Sequence, residues 1–281
     1  MKKTVLFGAG QNGAMISRLL GTQYSVCCFA DNSPKKQGSV LCGIPVVSPE
    51  ESMNFAPECF CICVIDRERS EQMEKQLFDM GFTGEILKPD ALGIFDPRAA
   101  VMRLLAEQIN EYGITGDVAE LGVYKGDFAA QISRAFPDRT ICLFDTFEGF
   151  DSRDVSVEKI NGFSRAETGD FSETGISEVR KKLYRPGKAE FYKGWFPSTF
   201  TGKCTERSYA FVSVDADLYA PTAAALPLFY DRLSRGGVIM VHDVNSFQYM
   251  GAGKAVKEFC AERKIMPFPV CDLHGSAVIR K

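Results

Sequence analysis

Short apolar runs alternate with stretches of helical spacing along almost the whole chain. Residues 2–7 form a run of strand length that stops at Gly8, and a helical pattern follows to about residue 20. Residues 25–30 make a second strand that ends at Asp31. A turn through Asp31-Asn32-Ser33-Pro34 then leads to Val46-Val47 and to the helix cap Ser48-Pro49-Glu50-Glu51. Residues 59–65 predict another strand and residues 70–80 a helix, after which Pro and Gly between Lys88 and Arg98 erase the periodicity. A domain boundary near Phe95 follows.

Beyond Pro97, Val101, Leu104, Leu105 and Ile109 recur at helical spacing over residues 99–112. Strands are predicted at residues 117–121, 140–144, 210–214 and 238–241, and helices at 127–136, 220–234 and 252–263. A hairpin at residues 266–271 and 276–280, turning at Leu273-His274-Gly275, closes the chain. Residues 150–175 are polar, with Phe163 and Phe171 as isolated aromatics, and read as a mobile lid or acceptor-binding loop. Such alternation defines an α/β protein of two domains. A small Rossmann-like unit occupies residues 1–95, and a doubly wound sheet with an antiparallel closing strand occupies residues 96–281.

A length of 281 residues is enough for two separate cores. The formal net charge of −3 supplies no broad cationic field, so nucleic acid and anionic membrane are poor partners and a small molecule a better one. The N-terminus enters a strand directly, without a long apolar leader or a spanning segment, so the expected location is the cytoplasm. Ten cysteines lie within apolar runs of a long chain and read as reduced core residues. Cys59, Cys61 and Cys63 alternate along one strand and should share a face.

Two glycine turns carry the candidate chemistry. The first, Gly8, Gly10 and Gly13 between strand and helix, is the spacing by which backbone approaches a phosphate at a helix N-terminus, with Asp31 placed to meet a ribose. The second runs from Glu120 through Gly122 and Tyr124 to Gly126, with Asp145 and Thr146 about 20 residues beyond it at the end of the next strand. Asp145 can take both hydroxyls of an adenosine ribose there. Farther on, Asp215 and Asp217 end one strand and His242 and Asp243 end another. Adjacent parallel strands would bring these four to the same sheet edge as the second glycine turn. A carboxylate-rich cluster of this kind suits a hard divalent cation, most naturally magnesium, which acidifies a bound hydroxyl.

Several segments resemble the TylF-type macrocin O-methyltransferases. They are Ala119-Glu120-Leu121-Gly122-Val123-Tyr124-Lys125-Gly126, Phe144-Asp145-Thr146-Phe147-Glu148-Gly149-Phe150, Lys193-Gly194-Trp195-Phe196-Pro197-Ser198-Thr199-Phe200, Val214-Asp215-Ala216-Asp217-Leu218-Tyr219 and Gly251-Ala252-Gly253-Lys254-Ala255-Val256. The resemblance implies a class I methyltransferase fold that uses S-adenosylmethionine and magnesium to methylate a sugar hydroxyl. It implies a cofactor site of Glu120, Gly122, Tyr124, Gly126, Asp145, Thr146 and Asp215, with Asp215 and Asp243 as metal ligands and Asp217 as base. One position departs: His242 stands where the family has the first aspartate of an Asp-Asp pair, as a metal ligand, a base or a partner of Asp243. Trp195 is expected near the cofactor or acceptor, or packed beneath the turn. The N-terminal domain resembles the nucleotide-sugar-binding units that precede sugar acyltransferases, and it can equally serve as a dimerisation unit. Two rival functions stay open. One is an NAD- or nucleotide-sugar-dependent enzyme working at the first glycine turn; the other is a non-catalytic binding protein that keeps the methyltransferase fold.

Overall fold

The structure is a computed structural model that describes residues 1–64, 66–88, 96–272 and 275–281. Phe95, at the expected boundary, and Leu273 and His274, at the expected hairpin turn, lie outside the described residues. The chain divides into two compact units, Met1–Ala100 and Val101–Lys281.

In the first unit β1 (Lys2–Phe7) leads through the glycine turn into α1 (Gln11–Leu19) and β2 (Tyr24–Ala30). A short hairpin of β3 (Val40–Leu41) and β4 (Ile44–Val47) follows, then α2 (Pro49–Ser52), β5 (Cys59–Ile62), α3 (Arg67–Asp79) and β6 (Glu85–Leu87). Ser48 starts α2 with a reciprocal capping box to Glu51, as its sequence signature requires. The strands lie in the order β3-β4-β2-β1-β5-β6, parallel except for the β3–β4 pair. Both faces of this sheet are apolar, which is why its strands read as continuous hydrophobic runs. Leu6, Phe29, Cys59, Cys61 and Cys63 pack on one side, and Val5, Phe7, Phe60 and Ile62 on the other. The cysteine alternation thus places all three thiols on one face. All ten cysteines are free, but Cys42 and Cys271 lie on the surface instead of in a core.

The second unit takes in α4 (Pro97–Glu111) from Val101 onward, then β7 (Asp117–Leu121), α5 (Asp127–Ala135), β8 (Ile141–Asp145), α6 (Ser152–Asn161) and α7 (Ile176–Lys182). It continues with β9 (Ala189–Lys193), α8 (Lys203–Glu206), β10 (Tyr209–Val214), α9 (Tyr219–Arg232), β11 (Leu233–Val241), α10 (Met250–Arg263), β12 (Phe268–Val270) and β13 (Ser276–Arg280). Its seven strands run in the order β12-β13-β11-β10-β7-β8-β9. Pairing is parallel from β11 to β9, and β13 returns antiparallel to β11. Alternate residues feed two cores. Ala119, Phe144, Val212 and Ile239 meet Phe229 and Val256 on one face, while Val118, Leu143, Phe211 and Val238 meet Met102, Ile132 and Val179 on the other.

Sequence reasoning read residues 150–175 as a loop, and the structure instead builds α6 within it. The buried positions of that helix are Asp154, Val155 and Glu158, so a hydrophobic pattern was never there to be seen. Among the described residues no helix is long and apolar enough to cross a membrane.

Phe229 is fully buried against the rings of Phe144, Phe196, Phe200 and Tyr209. Phe229→Ala should cost the second unit about 3–5 kcal/mol. Denaturant unfolding followed by the fluorescence of Trp195, the chain's single tryptophan, reports on that unit; a change below about 1 kcal/mol would refute this view of its core.

Candidate active site at the carboxyl edge of the second sheet

The central strand β7 is flanked by β8 on one side and β10 on the other. Strand order turns back at β7, and the carboxyl end of such a strand is where doubly wound sheets bind ligands. The second glycine turn occupies that place. Gly122 has φ +83°, and a Cβ there would overlap the carbonyl oxygen of Asp215. Gly126 has φ +79° and starts α5, with its bare Cα against the Val179 side chain. The glycines therefore serve close backbone packing at least as directly as ligand approach. Glu120, just before the turn, lies in β7 with Ser213 and Leu143 as its strand partners, and it is buried.

Asp145 ends β8 and holds the turn. Its Oδ2 accepts the amides of Val123 at 2.7 Å and Tyr124 at 2.9 Å, and its Oδ1 accepts the Phe147 amide at 2.7 Å. Oδ2 thus carries two backbone amides, and Oδ1 has a longer contact at 3.4 Å from the Thr146 hydroxyl besides the Phe147 amide. Thr146 turns its hydroxyl to the Gly149 carbonyl at 2.6 Å and closes the bend after β8. Tyr124, at φ +47°, sets its ring edge-on to Phe171.

The adjacent strands β10 and β11 end in Asp215 and His242, and the four acidic-site residues meet as the topology requires. His242 Nδ1 lies 2.7 Å from Asp243 Oδ2 and 3.0 Å from Asp215 Oδ1. Burial, the charges of Asp215 and Asp243, and a hydrogen bond with Asp243 push the Asp217 carboxyl well above the usual carboxylate range; His242 opposes the shift. Asp215, His242 and Asp243 offer donor atoms that all fall within 4.8 Å of one another. As a magnesium cage the set fits poorly. It supplies an imidazole nitrogen where a hard cation wants oxygen, and it carries one negative charge fewer than three carboxylates would.

Residues that sequence reasoning largely missed cover this edge. Phe150, Phe171 and Tyr249 stack ring against ring, with Tyr124 joining through Phe171. The Tyr249 phenol is held above its ordinary pKa by burial and then by the charge of Asp217, so it sits within reach of the acidic group. On α6, Glu158 Oε1 accepts the Tyr219 amide at 2.7 Å, and Gly251 must lack a side chain because a Cβ would overlap that same oxygen. The Gly251-Ala252-Gly253 motif thereby acquires a packing reason. Trp195 lies against α6: its indole N–H donates to Asp154 Oδ1 at 3.0 Å and the Arg153 guanidinium covers its face at 4.0 Å. Phe171, Trp195 and the Gly251-Ala252-Gly253 stretch are legible in the sequence, whereas Asp154, Glu158 and Tyr249 belong to no recognisable spacing.

In the first unit, Gly8, Gly10 and Gly13 form the turn after β1, which is flanked by β2 and β5. Gly8 takes φ +119°, a Cβ on Gly13 would overlap the Gly8 carbonyl, and Gly10 faces open space. Asp31 Oδ2 accepts the Ala9 amide and the Lys36 ammonium, each at 2.8 Å, and Oδ1 accepts the Ser33 amide at 2.9 Å. Burial works to raise its pKa, but Lys36 and the two amides outweigh it and hold the carboxyl below the usual range.

A doubly wound sheet with a glycine turn, a strand-end acid and an antiparallel closing strand is the class I methyltransferase fold. The chain belongs to the macrocin-O-methyltransferase (TylF) family, whose model matches residues 93–280. A relative, the 8-demethyl-8-(2,3-dimethoxy-alpha-L-rhamnosyl)-tetracenomycin-C 4'-O-methyltransferase of Streptomyces olivaceus, is 30% identical over 152 residues. That match takes in 50% of this chain and 58% of the relative, so the chain spans little more than half the length of that protein. Among solved structures, the O-methyltransferase NovP superposes with a TM-score of 0.53 at 24% identity, covering 67% of this chain and 81% of NovP. The calicheamicin methyltransferase CalS11 gives 0.52 at 17% identity, covering 77% and 94%. At these identities the two structures establish the fold alone.

Burial raises the Asp154 carboxyl from 3.8 to about 6, with the Trp195 indole opposing the shift. A carboxyl whose folded value is raised stabilises the fold below its unfolded pKa and loses that contribution as pH climbs through the folded value. Asp154→Asn keeps an acceptor for the indole and carries no charge. It should be more stable than the wild type above pH 6, by at most ~3 kcal/mol, with the difference vanishing near pH 4. Denaturation curves at several pH values test this; a wild-type advantage that grows with pH would contradict it.

Proposed function

We propose that this protein transfers a methyl group from S-adenosylmethionine to a hydroxyl of a small molecule, and that the acceptor is a sugar or a glycosylated metabolite. The observation that carries the reading is the meeting of two devices at one sheet edge. The glycine turn with Asp145 stands on β7 and β8, and Asp215 and Asp217 end the neighbouring β10. Membership of the macrocin-O-methyltransferase family supports the same chemistry, and the rhamnosyl-tetracenomycin relative supports a sugar as acceptor.

Bound S-adenosylmethionine supplies an electron-poor methyl carbon on a sulfonium. The turn from Glu120 to Gly126, the Oδ1 of Asp145, Thr146 and the Asp215 backbone are the groups assigned to hold it. Asp217 takes the proton of the acceptor hydroxyl as its oxygen forms the new bond to the methyl carbon and the carbon–sulfur bond breaks, its electron pair returning to sulfur so that neutral S-adenosylhomocysteine leaves. Burial and the neighbouring charges of Asp215 and Asp243 favour its protonated form once the proton has been taken. The aromatic cover of Phe150, Phe171 and Tyr249 excludes water from that proton transfer. The first unit is read as a docking unit for a nucleotide-sugar or for a second copy of the chain in a homodimer. Its support is the open space at Gly10, in a glycine turn between β2 and β5.

Asp217→Asn should keep S-adenosylhomocysteine binding, measured by calorimetry, while turnover with labelled S-adenosylmethionine falls at least about a hundredfold. Sugar, nucleotide-sugar and glycosylated acceptors are screened with the wild type. Near-normal turnover in the variant removes Asp217 from the chemistry. Tight NAD binding without S-adenosylhomocysteine binding defeats the methyl-transfer reading in favour of hydride chemistry at the first glycine turn. Sedimentation with and without a UDP-sugar tests the docking unit in the same preparations.

A further inference from the structure

We infer that His242 replaces a divalent cation in this site: its Nδ1–H donates to both Asp243 and Asp215 and holds together the carboxylates that would otherwise need a metal between them. The inference rests on the methyl-transfer reading only for its catalytic consequence. The geometry stands without it.

Asp215 and Asp243 follow two neighbouring strands and their carboxylates approach the same imidazole nitrogen, and like charges this close must be offset by a donor or a cation. The imidazole already sits in the gap. Nδ1 is 2.7 Å from Asp243 Oδ2 and 3.0 Å from Asp215 Oδ1, so a proton on that nitrogen has both carboxylates within reach. The shorter contact is at the short end of the range for charge-assisted N–H···O bonds, about 2.7–2.9 Å. Ligation through Nδ1 would require its lone pair, whereas both carboxylate contacts require its proton. One nitrogen cannot meet both demands.

Placement supports this assignment. His242 follows Val241 at the end of β11, and its own amide is fixed to the Val214 carbonyl at 2.9 Å, so the ring is anchored beside the last residue of β10. Asp243 is only 4% exposed, which leaves its carboxylate dependent on protein donors. The catalytic consequence is that the acceptor hydroxyl meets a base, Asp217, in a pocket without a Lewis acid. His242 is then a positioning residue that acts through the two carboxylates.

Mn2+ titration of the intact protein, followed by electron paramagnetic resonance of the free ion, tests the assignment without any acceptor. The wild type should show no stoichiometric site. His242→Asp, which restores an acidic pair after β11, should bind Mn2+ at least about tenfold more tightly, and its thermal midpoint should rise with the ion. His242→Asn keeps an N–H donor near the Nδ1 position and should leave S-adenosylhomocysteine affinity and midpoint close to wild type, whereas His242→Ala should lower the midpoint. Turnover of the wild type should be equal in EDTA and in magnesium, while that of His242→Asp should depend on the cation. A stoichiometric Mn2+ site in the wild type that His242→Ala abolishes overturns the inference, and so does loss of wild-type turnover in EDTA. Should His242→Asp fail to fold, the wild-type titration alone decides. Absence of S-adenosylhomocysteine binding would sink the methyl-transfer reading and leave the Mn2+ comparison intact.

Discussion

Gly122 stands where no side chain fits. It ends β7 with positive φ, its amide is bonded to Phe144 on β8, and its bare Cα lies against the Asp215 carbonyl on the far side. The Asp215 amide in turn donates to the Leu121 carbonyl at 2.8 Å. This contact fastens the turn assigned to the cofactor to the acid that opens the acceptor side. Parallel pairing of β7 with β10 sets the strands in register, and the missing Cβ lets their ends close upon each other. Everything proposed for the site depends on that closeness, because in-line transfer needs both reactants held within a near-attack separation of about 3–3.5 Å.

The two units use the same device for different ends. In each, the acid at the end of the second strand accepts amides from the glycine turn after the first: Asp31 from Ala9, and Asp145 from Val123 and Tyr124. Each acid was read from the sequence as a ribose partner, and each has a structural duty within its own chain. Asp31 is the more fully occupied, since Lys36 neutralises it. What separates the units is the neighbouring strands. β10 and β11 carry Asp215, Asp217, His242 and Asp243, whereas β5 runs out into Cys63 and Val64 at the matching place. The acidic strand ends, more than the glycine spacing, are what the proposed reaction site has and the first unit lacks.

Most of the framework was legible in the sequence because it is written in periodicity. Strands buried on both faces appear as apolar runs, and the acids at their ends mark the carboxyl edge. The convergence of Asp145, Asp215, Asp217, His242 and Asp243 followed from assuming that parallel strands neighbour one another, as the order β11-β10-β7-β8 bears out. Helix α6 was illegible for a definite reason: the side chains it buries are Asp154 and Glu158, which are bonded to Trp195 and to the Tyr219 amide. A buried carboxylate looks like a surface residue until its partner is known, and those partners lie 41 and 61 positions away along the chain. The aromatic cover was legible only in part: Phe171 stands out as an isolated aromatic of the polar stretch, whereas Phe150 and Tyr249 come from separate turns and share no period with it.

Backbone conformation shows how much the fold concedes to this cluster. Asp217 and Asp243 adopt φ of +57° and +59°, a left-handed conformation uncommon for non-glycine residues, which aspartate reaches with less strain than most. Such strain persists only where the surroundings over-determine it. Here Leu218, directly after Asp217, is buried beneath Phe150 and Tyr249, and Val244, directly after Asp243, donates its amide to the Gly275 carbonyl. The flanking residues are fixed, so the two acids cannot relax apart despite their mutual repulsion. A glycine at either position would relieve the strain but would remove the carboxylate as well. Both positions therefore combine a left-handed backbone with an acidic side chain at the carboxyl edge of the sheet, a combination that fits the base and the partner proposed for the site.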